Sequence, residues 1–486
     1  MMVVSLQVWL PLGCLEEERT ALLQLKDSLN YPNGTSLPSW RKGDACCCDW
    51  ESVRCNSSTG RVTKLQLYAV RNGELGDWFL NASLFLPFQE LNYLDLSDNQ
   101  IAGWVENKGL CDLNHLRVLY INSNDLSGFL PPCQANLTSL RELDLSSNHL
   151  KISMSLSPLY NLSELKYFDG SDNEIYAEED DHNLSPKFQL EYLYLSGHGQ
   201  DAGAFPKFLY HQFNLQTLDL SNIQIKGEFP SWLIENNTYL KGLYLENCSL
   251  SGPFLLPRSS HVNLSLLSIS MNYFQGQIPA EIRAYFPRLG VLIMSGNGFD
   301  GSIPSSLGSM SSLDILDLSD NGFDGNIPSS LGSMSYLQML DLSGNGFDGN
   351  IPSSLGSMSS LQMLDLSNNN LMGRMFSNNS LQGHIPGWIG NIKQGPDEEV
   401  TSLITSWENQ VYSPESSTRA KVTEFARCLN KKWSRQISAA KKAIEDLWKL
   451  AFSYQVNHLA AVQPLPSTTR GDPDHKLSAP GIKGRP

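Results

Sequence analysis

The pattern L-x-x-L-x-L-x-x-N begins at Leu91, Leu116, Leu140, Leu165, Leu190, Leu215, Leu240, Leu264, Leu289, Leu313, Leu337 and Leu361, twelve copies spaced 24 or 25 residues apart. A degenerate copy starts at Val62 and a partial one follows near Ser377. In each unit the L-x-L segment is a short strand whose alternate residues point in and out. One unit cannot bury its leucines alone, so neighbours must stack. The period predicts an α/β solenoid whose strands lie side by side in a curved parallel sheet. The asparagine at the ninth position turns the chain off the strand, and its amide satisfies backbone groups that water cannot reach. Nine of the twelve copies carry it, and His198, Ile223 and Cys248 replace it in three consecutive copies. Those three turns are expected to be the least regular.

The second half of each unit often ends in G-x-[IFL]-P, as in Leu126 to Pro131, Phe274 to Pro279 and Phe323 to Pro328. Glycine permits a tight bend there and proline ends local pairing. Three nearly identical copies from Gly298 to Ser367 read as recent tandem duplication. The chain's 486 residues carry 50 acidic and 35 basic side chains, a net charge of −15. That balance argues against nucleic acid or an anionic membrane surface as partner. No apolar run approaches the ~18 residues of a membrane helix, so no membrane span is expected.

Met1 to Gly13 is apolar, ends on a small residue and reads as a signal peptide over 1–13. N-x-[ST] glycosylation sequons occur at Asn33, Asn56, Asn81, Asn136, Asn161, Asn183, Asn236, Asn247, Asn263 and Asn378. Cys47, Cys48 and Cys55 cluster without a nearby histidine, which fits disulfides better than zinc. Cys111 and Cys133 lie nearly one period apart in adjacent units, which predicts a bridge between them. Nine cysteines cannot all pair within the chain, so the fates of Cys46 and Cys428 stay open.

The G-x-I-P signature on this period resembles the plant-specific class of leucine-rich repeats, over about Val62 to Gly390. Ahead of it, a helix with apolar Ala21, Leu22, Leu25 and Leu29, then Leu37 to Trp40 and Cys47 to Cys55, resembles the N-terminal cap of plant leucine-rich-repeat receptors. The resulting division is a cap over 14–60, a solenoid of about 12–14 repeats over 61–390 and a non-repeat tail over 391–486. The resemblance implies bridges Cys14–Cys47 and Cys48–Cys55, with the extra Cys46 leaving their register open. Cap, repeats and sequons together are similar to the ectodomain of a plant receptor-like protein. That likeness implies a cell-surface protein of the secretory pathway, signalling through a partner receptor kinase in defence or development. The chain differs from such proteins in having fewer repeats, no island among them, no C-terminal cap and no membrane helix. Judged alone it reads as extracellular. Two alternatives stay open: a soluble secreted inhibitor of wall-degrading hydrolases, and a decoy or non-functional product of a truncated receptor gene.

The tail has its own character. Thr418 to Leu450 reads as a basic amphipathic helix with apolar Val422, Phe425, Ala426, Leu429, Trp433 and Ile437, and Gln463 to Pro486 as disordered. No signature of an enzyme, cofactor or metal site occurs, so no catalytic or metal-binding residue is assigned. Glu178 to Asp181 is an acidic run that reads as a solvated loop. Binding is the expected role, with an extracellular peptide, glycan or protein as ligand. The third and fifth positions of each unit point outward, and tyrosine is concentrated there from Leu165 to Leu240. Tyr167, Asp169, Tyr192, Tyr194 and Tyr244 are the candidate ligand-binding residues, with Asp169 as an acceptor for a peptide amide or sugar hydroxyl. The competing explanation is tyrosine's strand propensity.

Overall fold

A computed structural model describes residues 14–371 apart from 45, 107, 131–135 and 178–184. The chain divides into two units, 1–401 and 402–486, and all described residues belong to the first. The signal-peptide stretch 1–13, the tail helix over Thr418 to Leu450, the 463–486 end, Glu178 to Asp181, Cys133, Cys428, Asn183 and Asn378 lie outside the described residues.

The L-x-L segments form one sheet of fourteen strands whose spatial order follows the sequence. Its first strand, Val53–Cys55, pairs antiparallel with Val62–Gln66. Every later pair is parallel, out to Met363–Asp365. Among these parallel pairs register never slips, because shifting a strand by one residue would turn its leucine outward; the antiparallel pair shifts between Arg54 and Cys55. Leu313, Leu316 and Leu318 illustrate the result, each fully buried. The unit at Leu165 departs from the pattern and compensates. Phe168 stands at one leucine position and Gly170 at the next, where a Cβ would lie only 3.0 Å from Phe168 Cε1. The ring and Ile152 Cδ1, which would stand 2.9 Å from that Cβ, occupy the missing leucine's volume.

The glycine-rich half of each unit does more than bend. It forms a second set of parallel strands, one five-stranded sheet from Ser127–Phe129 to Ile223–Ile225 and another from Ser251–Gly252 to Gly346–Asp348. Phe274, Phe299, Phe323 and Phe347 stack beneath the latter at 6.2 Å centroid spacing. Gly301, Gly325 and Gly349 close their strands at positive φ, which only glycine adopts freely. Short 3₁₀ turns return the chain, among them Ser305–Ser309 and Ser329–Ser333. Stacking there is close enough that a Cβ on Gly308 would stand 2.3 Å from the Ser330 carbonyl oxygen.

The ninth-position asparagines tie each unit to the one before it. Asn124 Oδ1 accepts from the backbone N–H of Asn99 and of Ile101, both at 3.0 Å. Its Nδ2 donates to the carbonyls of Leu96, Ile121 and Asn122 at 3.0–3.2 Å. Of the three units without asparagine, only part of the expected irregularity occurs. The strand His198–Gly203 shifts register against Ile223–Ile225, and beyond it the second sheet narrows to a single Gly227–Leu250 bridge. Cys248, by contrast, holds the regular turn: its Sγ donates toward the Leu220 and Glu246 carbonyls at 3.1 and 3.3 Å.

At the N-terminus, helix Glu16–Leu29 buries Ala21, Leu22, Leu25 and Leu29 over the first strands. Buried Glu18 accepts from the Val62 N–H at 3.0 Å and so seats the helix on the sheet. Trp40 and Trp50 stack at 5.7 Å. The bridges are Cys14–Cys47 and Cys48–Cys55, a register that does not use Cys46. Cys111 is disulfide-bonded, and its expected partner Cys133 lies outside the described residues.

Candidate functional site

Because the leucines of each L-x-x-L-x-L unit point inward, the third and fifth positions share the open face of the long sheet. Tyr167 sits opposite Tyr192, and Asp169 opposite Tyr194. The Tyr167 ring is 6.2 Å from Tyr192 and 5.8 Å from Tyr194, both tilted. All three rings are half-buried. Tyr192 donates to Gln216 Oε1 at 3.3 Å, and Tyr194 hydrogen-bonds with Thr217. Burial, chiefly, and then nearby carboxylates push these phenols above their ordinary range, so they stay neutral and keep their donor protons. Three rigid rings with polar tips form one patch suited to anchoring a ligand.

Tyr244 belongs to the same face but not to the same cluster. Asp219 occupies the row between it and Tyr194. Its ring leans over Gly242, where a Cβ would meet Tyr244 Cε2 at 3.2 Å. A second aromatic group opens the face. Tyr93 and Tyr120 meet edge-to-face at 5.8 Å, Lys64 Nζ lies 3.8 Å over the Tyr93 ring, and Tyr120 donates to Glu142. These residues are not among the candidates read from the sequence; the signal that could have found them is tyrosine at outward positions, third and fifth, in two consecutive units.

Asp169 does not offer the free acceptor expected of it. It is buried. Its Oδ1 accepts from both the N–H and the hydroxyl of Ser171, and Oδ2 accepts from the Tyr167 hydroxyl at 3.3 Å. Asp95, Asp144, Asp219, Asp317, Asp341 and Asp365 brace their own turns through a serine two residues on. The recurring D-x-S triplet was the sequence sign of this structural duty. Asp169 therefore fixes the turn and the Tyr167 ring.

In the last described rows these carboxylates stack, with Asp341 between Asp317 and Asp365. Burial, then the Asp317 charge, pushes the Asp341 carboxyl up to about 7, with Asp365 adding to the rise and Ser343 opposing it. Asp320 nearby is raised too, by burial and the same two neighbours. A carboxyl raised on folding contributes stability below its unfolded value near 4 and loses it as pH climbs through 7. Asp341→Asn keeps the acceptor for Ser343 but removes the charge. The variant is expected to match the parent's Tm at pH 4 and exceed it at pH 8 by roughly 2–4 °C, about 1 kcal/mol. Equal Tm values at both pH values would show that the column carries no mutual repulsion.

No group of three or more His, Cys, Asp or Glu arranged to hold a metal occurs among the described residues. A groove of about 600 Å³ lies between the cap helix and the 82–85 turn and is lined by Glu17, Thr20, Asn81 and Ser83 among others.

The leucine-rich-repeat N-terminal domain family matches residues 15–56. Leucine-rich-repeat families match residues 89–150 and 311–371, and also 139–162, 214–235 and 288–310. Receptor-like protein 14 of Arabidopsis thaliana is 37% identical, over 62% of this chain and 46% of its own length. Cuscuta receptor 1 of Solanum lycopersicum is 32% identical, over 42% of this chain and 21% of its own. The chain thus spans less than half the length of these relatives. Among solved structures, PEPR1 with AtPEP1 aligns at a TM-score of 0.60 with 25% identity, covering 78% of this chain and 58% of that one. The Arabidopsis receptor kinase HAESA ectodomain, in complex with an IDA peptide hormone, aligns at 0.58 with 26% identity, covering 77% and 71%. Repeat, cap and relatives agree: the chain is a leucine-rich-repeat protein with the N-terminal leucine-rich-repeat domain, and the curated proteins it resembles are plant receptor-like proteins.

Proposed function

We propose that the chain is a non-enzymatic recognition module of the secretory pathway or cell surface, binding a peptide or protein ligand and signalling with a partner receptor kinase in defence or development. The observation that carries this reading is the tyrosine patch of Tyr167, Tyr192 and Tyr194 on the open sheet face. Two further facts support it. The similar HAESA ectodomain is seen with a peptide hormone. All eight described sequon asparagines reach solvent, with Asn33, Asn136, Asn161 and Asn247 exposed and Asn56, Asn81, Asn236 and Asn263 partly so. No helix of the described residues is long and apolar enough to cross a membrane.

The test is to pan a displayed random dodecapeptide library against the full chain and against its Tyr192→Ala, Tyr194→Ala double variant. These rings are half-exposed, so their loss should barely change Tm. Truncating an interface anchor typically costs more than about 1 kcal/mol of binding. Peptides enriched on the parent are expected to bind the variant at least fivefold more weakly. Equal binding, or no enrichment at all, would sink the site.

A further inference from the structure

South of the tyrosines in chain order, the same sheet face changes chemistry. Its third positions become Leu266, Val291, Ile315, Met339 and Met363, each opposite the next and each partly exposed. Five rows at ~4.8 Å make an apolar stripe about 19 Å long, the reach of about six extended residues. Beside it, one pleat away, runs the column Asp317, Asp341 and Asp365. From Leu289 to Leu371 the chain holds eight aspartates, at 300, 314, 317, 320, 324, 341, 348 and 365, and no Glu, Lys, Arg or His. The charge on this part of the solenoid is uncompensated by its own sequence. One oxygen of each column aspartate is held by the serine two residues on, and the second oxygen of Asp317 accepts from the Ser295 hydroxyl at 2.9 Å; these braces fix where the charge points.

We infer that these rows are a docking track for a cationic amphipathic peptide segment, chemically separate from the tyrosine patch; the inference rests on the reading of the open face as the binding face. A lysine fits this pairing, because its aliphatic stem can lie along Ile315 and Met339 while its ammonium reaches the aspartate column. The apolar stripe favours such a peptide over a bare cation. A second copy of the chain would bring the same uncompensated charge against itself.

The experiment measures fluorescence anisotropy of three labelled decapeptides on the full chain: alternating Lys/Leu, alternating Lys/Ser and alternating Glu/Leu. The Lys/Leu peptide is expected to bind most tightly and to weaken with salt. Asp317→Asn, Asp341→Asn, Asp365→Asn in combination keeps an acceptor for each serine donor and should weaken it roughly tenfold or more. Ile315→Ser with Met339→Ser should also weaken it, whereas Tyr192→Ala with Tyr194→Ala should not. Absence of Lys/Leu binding, or binding unchanged in both the triple Asn and the double Ser variants, overturns the track. Loss of binding in the tyrosine variant alone overturns it too but leaves the tyrosine patch standing. Conversely, Lys/Leu binding that depends on the aspartates, together with a failed library selection on the tyrosines, would retain the track and reject the patch.

Discussion

Leu318→Asp is expected to melt the last described units while the N-terminal ones stay folded. Leu318 is fully buried, and its backbone N–H bonds to the Asp341 carbonyl of the next unit. The substitution removes a leucine from a packed core, which costs about 2–5 kcal/mol for truncation alone. It also buries a carboxylate in a neighbourhood whose nearest ionisable groups are other aspartates, and an unpaired buried charge adds several kcal/mol. In a solenoid each unit contacts only its neighbours, so stability is close to a sum of local terms and the damage should stay local. Hydrogen exchange should show lost protection from about Leu289 onward and normal protection near Leu94 and Leu119. Leu318→Met, of similar volume, should cost less than about 1.5 kcal/mol. Uniform loss of protection along the whole chain would mean that the units fold as one cooperative block. Unchanged stability would mean the leucine register is wrong.

That register was legible because leucine period, strand polarity and stacking are set by the same nine residues. The second sheet was not. Its C-terminal strands run through the F-Q-G and F-D-G segments, whose glycines read as breakers in isolation; they pair only because equivalent segments of adjacent units lie within hydrogen-bonding reach. Replacement residues at the ladder position were half-legible. His198 marks a real register shift, but Cys248 preserves the turn because a thiol can stand where the carboxamide does. At the candidate site, alternation alone placed Tyr167, Tyr192 and Tyr194 on one face, and their rings do meet. Asp169 misled because its outward position was visible in sequence while its bonds to Ser171 and the Tyr167 hydroxyl were not, although the D-x-S recurrence pointed to them. The Leu266 to Met363 stripe went unremarked for a related reason. Apolar residues at outward positions look like core in a single unit, and only the constant register across five strands shows them as a surface.

Asn124→Leu is expected to cost on the order of 3–6 kcal/mol, well beyond what its volume would suggest. The carboxamide satisfies two buried N–H groups, of Asn99 and Ile101, and three carbonyls, of Leu96, Ile121 and Asn122. Leucine fills the space but leaves these groups without partners, and each buried unsatisfied group costs about 1–3 kcal/mol. The N–H groups weigh most, since the carbonyls retain other contacts with their second lone pairs. Asn124→Asp keeps the acceptor and loses the donors, so its cost should fall between parent and Asn124→Leu. Cys248 supplies the reciprocal test in the same protein. Its single thiol hydrogen serves two carbonyls, of Leu220 and Glu246, and its sulfur is a weak acceptor for the Ile223 N–H. Burial pushes that thiol up to about 12, so it stays protonated in this donor role. Cys248→Asn should restore the full set of bonds and raise the unfolding midpoint. Denaturant unfolding of the three variants against the parent decides the matter: a ladder that holds the solenoid together must make Asn124→Leu the least stable and Cys248→Asn at least as stable as the parent. An Asn124→Leu midpoint equal to the parent's would show that leucine packing alone sets the turn.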